Sequence, residues 1–95
     1  MKIDVTQTLL DPEGESLKDL RYMLRTALLQ GEATDTGEIK YAKVALAMRI
    51  QNNIEVDFSI DDLAMTKKAC IALTPWPYTL VIDILDPKGK DIPKE

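Results

Sequence analysis

The sequence predicts a mainly α domain: four short helices, near residues 16–30, 36–52, 59–73 and 75–85, with an N-terminal strand or small β-hairpin. Three observations predict it. Capping residues and breakers alternate along the chain: Ser16, Asp35, Ser59 and Thr74 can open helices, while Gly31 and Asn52-Asn53 can close them. Between them the apolar residues recur three and four apart, the spacing of a helix face. The opening residues alternate with period two, as a half-buried strand does, and Ile54-Glu55-Val56-Asp57-Phe58 reads as a short extended connector.

Ile3, Val5 and Leu9 alternate with Asp4, Thr6 and Thr8, so residues 2–9 read as one strand. Asp11-Pro12-Glu13-Gly14 ends it, because proline sets φ early in the turn and glycine closes it. The first helix opens at Ser16, with Asp19 placed to answer it in a capping box. Leu17, Leu20, Leu24, Ala27 and Leu28 form its apolar stripe, widened by Met23, and Gln30-Gly31 stops it. Residues 31–37 are small and polar and read as a loop.

Asp35 is the expected cap of the second helix, with Glu38 at its third position. From Ile39 to Gln51 apolar residues cover most of the circumference, and only Lys40, Lys43, Arg49 and Gln51 mark a wet face. Such a helix is either central to the domain or meets a partner. The third helix has the clearest start: Ser59 as cap, Asp62 three residues on, and Phe58 and Leu63 spaced as a hydrophobic staple. Thr74-Pro75-Trp76-Pro77 suits a helix start, since the first-turn amides need no intrahelical partner. The pairs Leu80-Val81 and Ile84-Leu85, four apart, favour helix there. The β-branched residues nearby leave a strand paired with residues 2–9, and an α+β class, as the alternative.

Ninety-five residues hold one core, so residues 1–87 read as a single domain and the charged residues 88–95 as a flexible tail. No apolar run approaches the roughly 18 residues of a membrane span. Met1-Lys2-Ile3-Asp4-Val5 does not read as a secretory leader. A lone cysteine, Cys70, allows no internal disulfide, and a reducing cytoplasm is the expected compartment. With no histidine in the chain, Ser-His-Asp catalysis and His-containing zinc sites are excluded. The basic residues Lys18, Arg21 and Arg25 are expected on one helix face. The net charge is −4, so nucleic acid and anionic membranes are not expected partners.

Chemistry is sparse. Cys70 among apolar neighbours reads as a buried structural thiol. Residues 57–62 place oxygens like the first half of a calcium loop. Asp62 stands where the loop needs glycine and Lys68 where it needs a bidentate acid, and helix capping explains the same residues. No glycine-rich phosphate loop or Cys-x-x-Cys pair is present, and no cofactor is expected. Carboxylates such as Asp61, Asp62, Asp83 and Asp86 are the candidates for acid–base work, and nothing in the sequence gathers them into one pocket. Trp76 is either a core plug or an exposed anchor for a partner.

The strand Ile3-Asp4-Val5-Thr6, the Leu-Asp-Pro-Glu-Gly turn and Thr26-Ala27-Leu28-Leu29 come first. Ala45-Leu46-Ala47-Met48-Arg49-Ile50, Val56-Asp57-Phe58-Ser59-Ile60-Asp61-Asp62-Leu63-Ala64 and the proline-rich last helix follow. Over residues 3–86 this order resembles a group of small, mostly uncharacterised proteins of bacteriophages and prophages. In that group the strand and turn continue into a longer hairpin, which is short here, and Trp76 interrupts the usual lead into the last helix. The shared residues are turn, cap and core residues, so the resemblance implies no catalytic role for any of them.

The expected function is therefore that of a cytoplasmic, cofactor-free, non-enzymatic accessory protein. It would act by protein–protein interaction with a phage or host protein, in assembly or in interference with the host. A small carboxylate-dependent enzyme is the alternative. Tyr41, Val44 and Met48 form a surplus apolar stripe on the second helix, available to a partner or to a second copy of the chain. Together with Trp76 they are the expected contacts, with Arg21 and Arg25 as a polar rim.

Overall fold

The computed structural model describes residues 1–87. The expected tail, residues 88–95, lies outside the described residues. In chain order the elements are β1 (Lys2–Asp4), β2 (Thr8–Leu10), β3 (Ser16–Asp19), α1 (Leu20–Gln30), α2 (Gly37–Asn52), β4 (Glu55–Asp57), α3 (Ile60–Cys70) and α4 (Pro75–Leu85). The class is mainly α, with four helices and two small antiparallel sheets of two strands each.

The opening segment is not one strand but two, in different sheets. β1 pairs with β4, Ile3 opposite Val56, and both side chains point into the core. The break comes from Asp4, whose carboxylate accepts from the Thr6 backbone N–H at 2.8 Å and from the Thr6 hydroxyl. This Asx-type turn bends the chain away from β4. The same two hydrogen bonds hold the Asp4 carboxyl below its ordinary pKa. The linking residues stay anchored on both sides: Val5 N–H donates to the Ile54 carbonyl, and Arg21 N–H donates to the Val5 carbonyl.

The first helix is capped three residues later than expected, at Asp19 instead of Ser16. Residues 16–19 pair with β2 as a hairpin, Leu10 opposite Ser16 and Thr8 opposite Asp19, with an irregular register between. Asp11 organises the turn, its carboxylate accepting from the Glu13 and Glu15 N–H groups, and Gly14 takes φ +86°. Asp19 then caps α1 by accepting from Tyr22 N–H at 2.9 Å. Leu20, Leu24, Ala27 and Leu28 are buried along one face of α1, and Gly31 leaves the helix at φ +64°.

The cap of α2 is Thr36, which accepts from Ile39 N–H, and not Asp35. α3 starts as its sequence indicates: Ser59 and Asp62 exchange hydrogen bonds of 3.0 and 3.1 Å in a full capping box. It ends at Cys70, earlier than residue 73, because Ile71, Ala72 and Leu73 bond back three residues in a tightened last turn. α4 is a helix over residues 75–85, as first expected, and not the alternative strand. Pro75 and Pro77 fall in its first turn, where amides are unpaired, while Val81 and Leu85 reach the core.

The core runs through all these elements. Phe58, Leu20, Leu24, Leu28, Leu46, Ile50, Val5, Val81 and Leu85 are its fully buried large side chains. α1 lies at the centre, packed against α2, α3 and α4. α2 packs on α1 with one side only.

Candidate interaction surface

α2 buries Lys43, Leu46, Ala47 and Ile50. At about 100° per residue these lie on one side of the helix. Tyr41, Val44 and Met48 lie towards the other side and are 80%, 48% and 40% exposed. Ala45, between them, is also exposed. The sequence thus makes α2 apolar nearly all round, and the chain covers only half of it.

Lys43 explains how the inner side is completed. It was expected on a wet face, but its Nζ donates to Asp35 Oδ2 at 2.6 Å, and the two side chains are only 5% and 7% exposed. Asp35 also accepts from Glu32 N–H at 3.0 Å. The Lys43 hydrogen bond, followed by that of Glu32, holds the Asp35 carboxyl below its ordinary pKa. Asp35 is therefore a tertiary partner rather than a cap. The pair lies in the wall of an open cleft of about 400 Å³, lined among others by Leu28, Leu29, Lys40 and Val44.

The α1–α2 hairpin extends the apolar face. Leu29 is exposed on α1 and lines the same cleft as Val44. Sequence reasoning missed it because Leu29 lies off the buried stripe of α1. Its closeness to Val44 depends on the 31–36 loop folding the two helices side by side.

Arg21 and Arg25 are both committed to that hairpin. Arg21 donates from Nε to the Ile50 carbonyl at 3.0 Å and from Nη2 to the Asn53 carbonyl at 2.7 Å. A cation is thus placed at the C-terminus of α2, where the helix dipole favours it. Arg25 donates to Gln51 Oε1 at 3.2 Å. Lys18 lies on β3 rather than on the helix with them, its ammonium 5.4 Å from the centre of the Tyr22 ring.

Trp76 stands apart from the α2 face. At 40% exposure it is neither a sealed plug nor a free anchor: its Nε1 donates to the Leu10 carbonyl at 2.9 Å and ties the start of α4 to the end of β2.

The remaining candidate groups have local roles. Cys70 is fully buried, and that burial pushes its thiol up to about 12. A thiol kept protonated at neutral pH is a poor nucleophile. Asp62 closes the capping box and meets Arg49 at 3.4 Å, and Asp86 pairs with Lys67 at 3.0 Å. Asp61 is exposed in the first turn of α3, and Asp83 is half-buried on α4. Asp57 accepts from the terminal ammonium of Met1 at 3.0 Å, which lowers its pKa. Among the described residues no three His, Cys, Asp or Glu side chains are grouped to hold a metal ion. Nor is any helix among them long and apolar enough to cross a membrane.

Fold and surface together define a small helical protein with a one-sided apolar hairpin. No protein family, curated protein or solved structure matches this chain.

Proposed function

We propose that this chain is a non-enzymatic, cofactor-free accessory protein that works in the cytoplasm by docking on a protein surface. The observation that carries this reading is the outward face of α2, where Tyr41, Val44 and Met48 stand exposed together on a well-anchored helix. Large apolar side chains grouped on one rigid helix face are suited to helix-in-groove recognition. Aromatic and methionine side chains are also enriched at interface centres. Arg25, bonded to Gln51, would supply a polar rim, and Arg21 fixes the end of the helix that presents the face. The exposed part of Trp76, its indole N–H held by the Leu10 carbonyl, would offer a second, separate contact point. The net charge of −4 favours a protein partner over nucleic acid. The resemblance to phage and prophage proteins suggests a phage or host protein as that partner, in assembly or in host interference.

The test is affinity capture from infected or lysogenic cells with wild type and with Tyr41→Ala/Met48→Ala. The reading expects a partner held by wild type and lost by the variant, with an unchanged circular dichroism spectrum. A folded double variant that keeps the same partner would overturn it.

A further inference from the structure

We propose that the outward face of α2 pairs with the same face of a second copy, antiparallel, about a twofold axis near the Val44–Ala45 midpoint. The proposal rests on reading that face as a docking surface and names its occupant.

The face is self-complementary in shape. At about 100° per residue, Tyr41, Ala45 and Met48 fall within about 60° of one another, with the small Ala45 between the two large side chains. Antiparallel pairing sets Tyr41 of each copy against Met48 of the other, with Ala45 facing Ala45 on one side of the contact and Val44 facing Val44 on the other. The large side chains then fill the space beside the small one, as in close helix pairs. Leu29, beside Val44 in the hairpin cleft, flanks the axis in both copies.

Charge selects this orientation. Glu38 and Arg49 are both exposed and lie on the same flank of the stripe, about 20° apart around the helix. Antiparallel pairing brings Glu38 of one copy beside Arg49 of the other, offset by about 3 Å along the axis, and does so twice. It also holds the two Glu38 side chains about 20 Å apart along that axis. Parallel pairing would put this flank of the two copies on opposite sides of the contact and form neither pair. Arg49 is already held by the Asp57 carbonyl and Asp62 while half of its side chain stays exposed, so it is presented in a fixed position. One helix face per copy is a small isologous interface, and the dimer is accordingly concentration-dependent.

Sedimentation equilibrium on the full chain tests this. Wild type is expected to rise with concentration from 10.7 kDa towards twice that mass. Ala45→Glu places two like charges across the axis at an exposed position, and is expected to stay at 10.7 kDa with an unchanged circular dichroism spectrum. Ala45→Cys is expected to cross-link between copies under mild oxidation, whereas the flanking Ala42→Cys is not. The native Cys70 is buried and does not compete. A wild type that stays single at every concentration, or a dimer untouched by Ala45→Glu, overturns the proposal. If the chain stays single yet loses a different protein on Tyr41→Ala/Met48→Ala, the dimer is refuted and the docking surface stands.

Discussion

Lys43 Nζ and Asp35 Oδ2 meet at 2.6 Å with both side chains almost fully covered, joining the middle of α2 to the loop that precedes it. The lysine stem helps to line the inner side of α2, and its charge ends on a carboxylate that also receives the Glu32 N–H. With Lys43 drawn inward, the outward side of α2 is left to Tyr41, Val44, Ala45 and Met48. The ion pair and the apolar face are thus two sides of one arrangement.

Acid is expected to loosen this junction. The Asp35 carboxyl titrates below its ordinary value of 3.8, so its contribution to stability is complete above that value and is lost as pH falls through the lower, folded-state pKa. Asp4 acts in the same direction. Urea midpoints measured across the acid range should fall for wild type and fall less for Asp35→Asn, which should be the less stable protein at neutral pH.

Arg21→Met keeps much of the apolar stem and removes both bonds to the end of α2. Hydrogen bonds from a charged donor are worth about 1.5–3 kcal/mol each, less where water can replace them. A loss of about 2 kcal/mol in urea unfolding is expected, with faster amide exchange in the last turn of α2. Unchanged stability would make Arg21 a surface residue only.

Ser59→Ala removes half of the capping box of α3. The expected cost is about 1 kcal/mol in thermal or urea unfolding. Asp62→Ala should cost a similar amount, and the double variant less than the sum, because each side chain caps the other's amide.

Trp76→Phe retains the ring but loses the donor to the Leu10 carbonyl. A loss of about 0.5–1.5 kcal/mol is expected. In wild type the indole is half-exposed, so a soluble quencher should reach its fluorescence. Full protection from quencher would place Trp76 in the core instead.

Much of the fold was legible where its signals are local. Ser59 and Asp62 lie three residues apart, and Thr74-Pro75 announces α4, so both helices start where the sequence indicates. The failures come from contacts distant in sequence. Ser16 can cap a helix, but the backbone of residues 16–19 finds partners in residues 8–10, and Asp19 takes over the cap. Asp35 is the cap the local sequence indicates, but Lys43, eight residues on, takes its carboxylate and the adjacent Thr36 caps α2 instead. The surplus apolar stripe of α2 was readable from its circumference alone. Leu29 was not, because it joins Val44 only across the hairpin.

Tyr41 and Met48 carry the proposed working surface, the outward face of α2. Hydroxyl-radical footprinting of Tyr41 and Met48, in the free chain and in the captured or self-associated complex, tests it most directly. Both side chains should be readily modified when free and protected when bound, while the exposed Ile60 on α3 reacts equally in both states. Equal modification of Tyr41 and Met48 in the two states would contradict it.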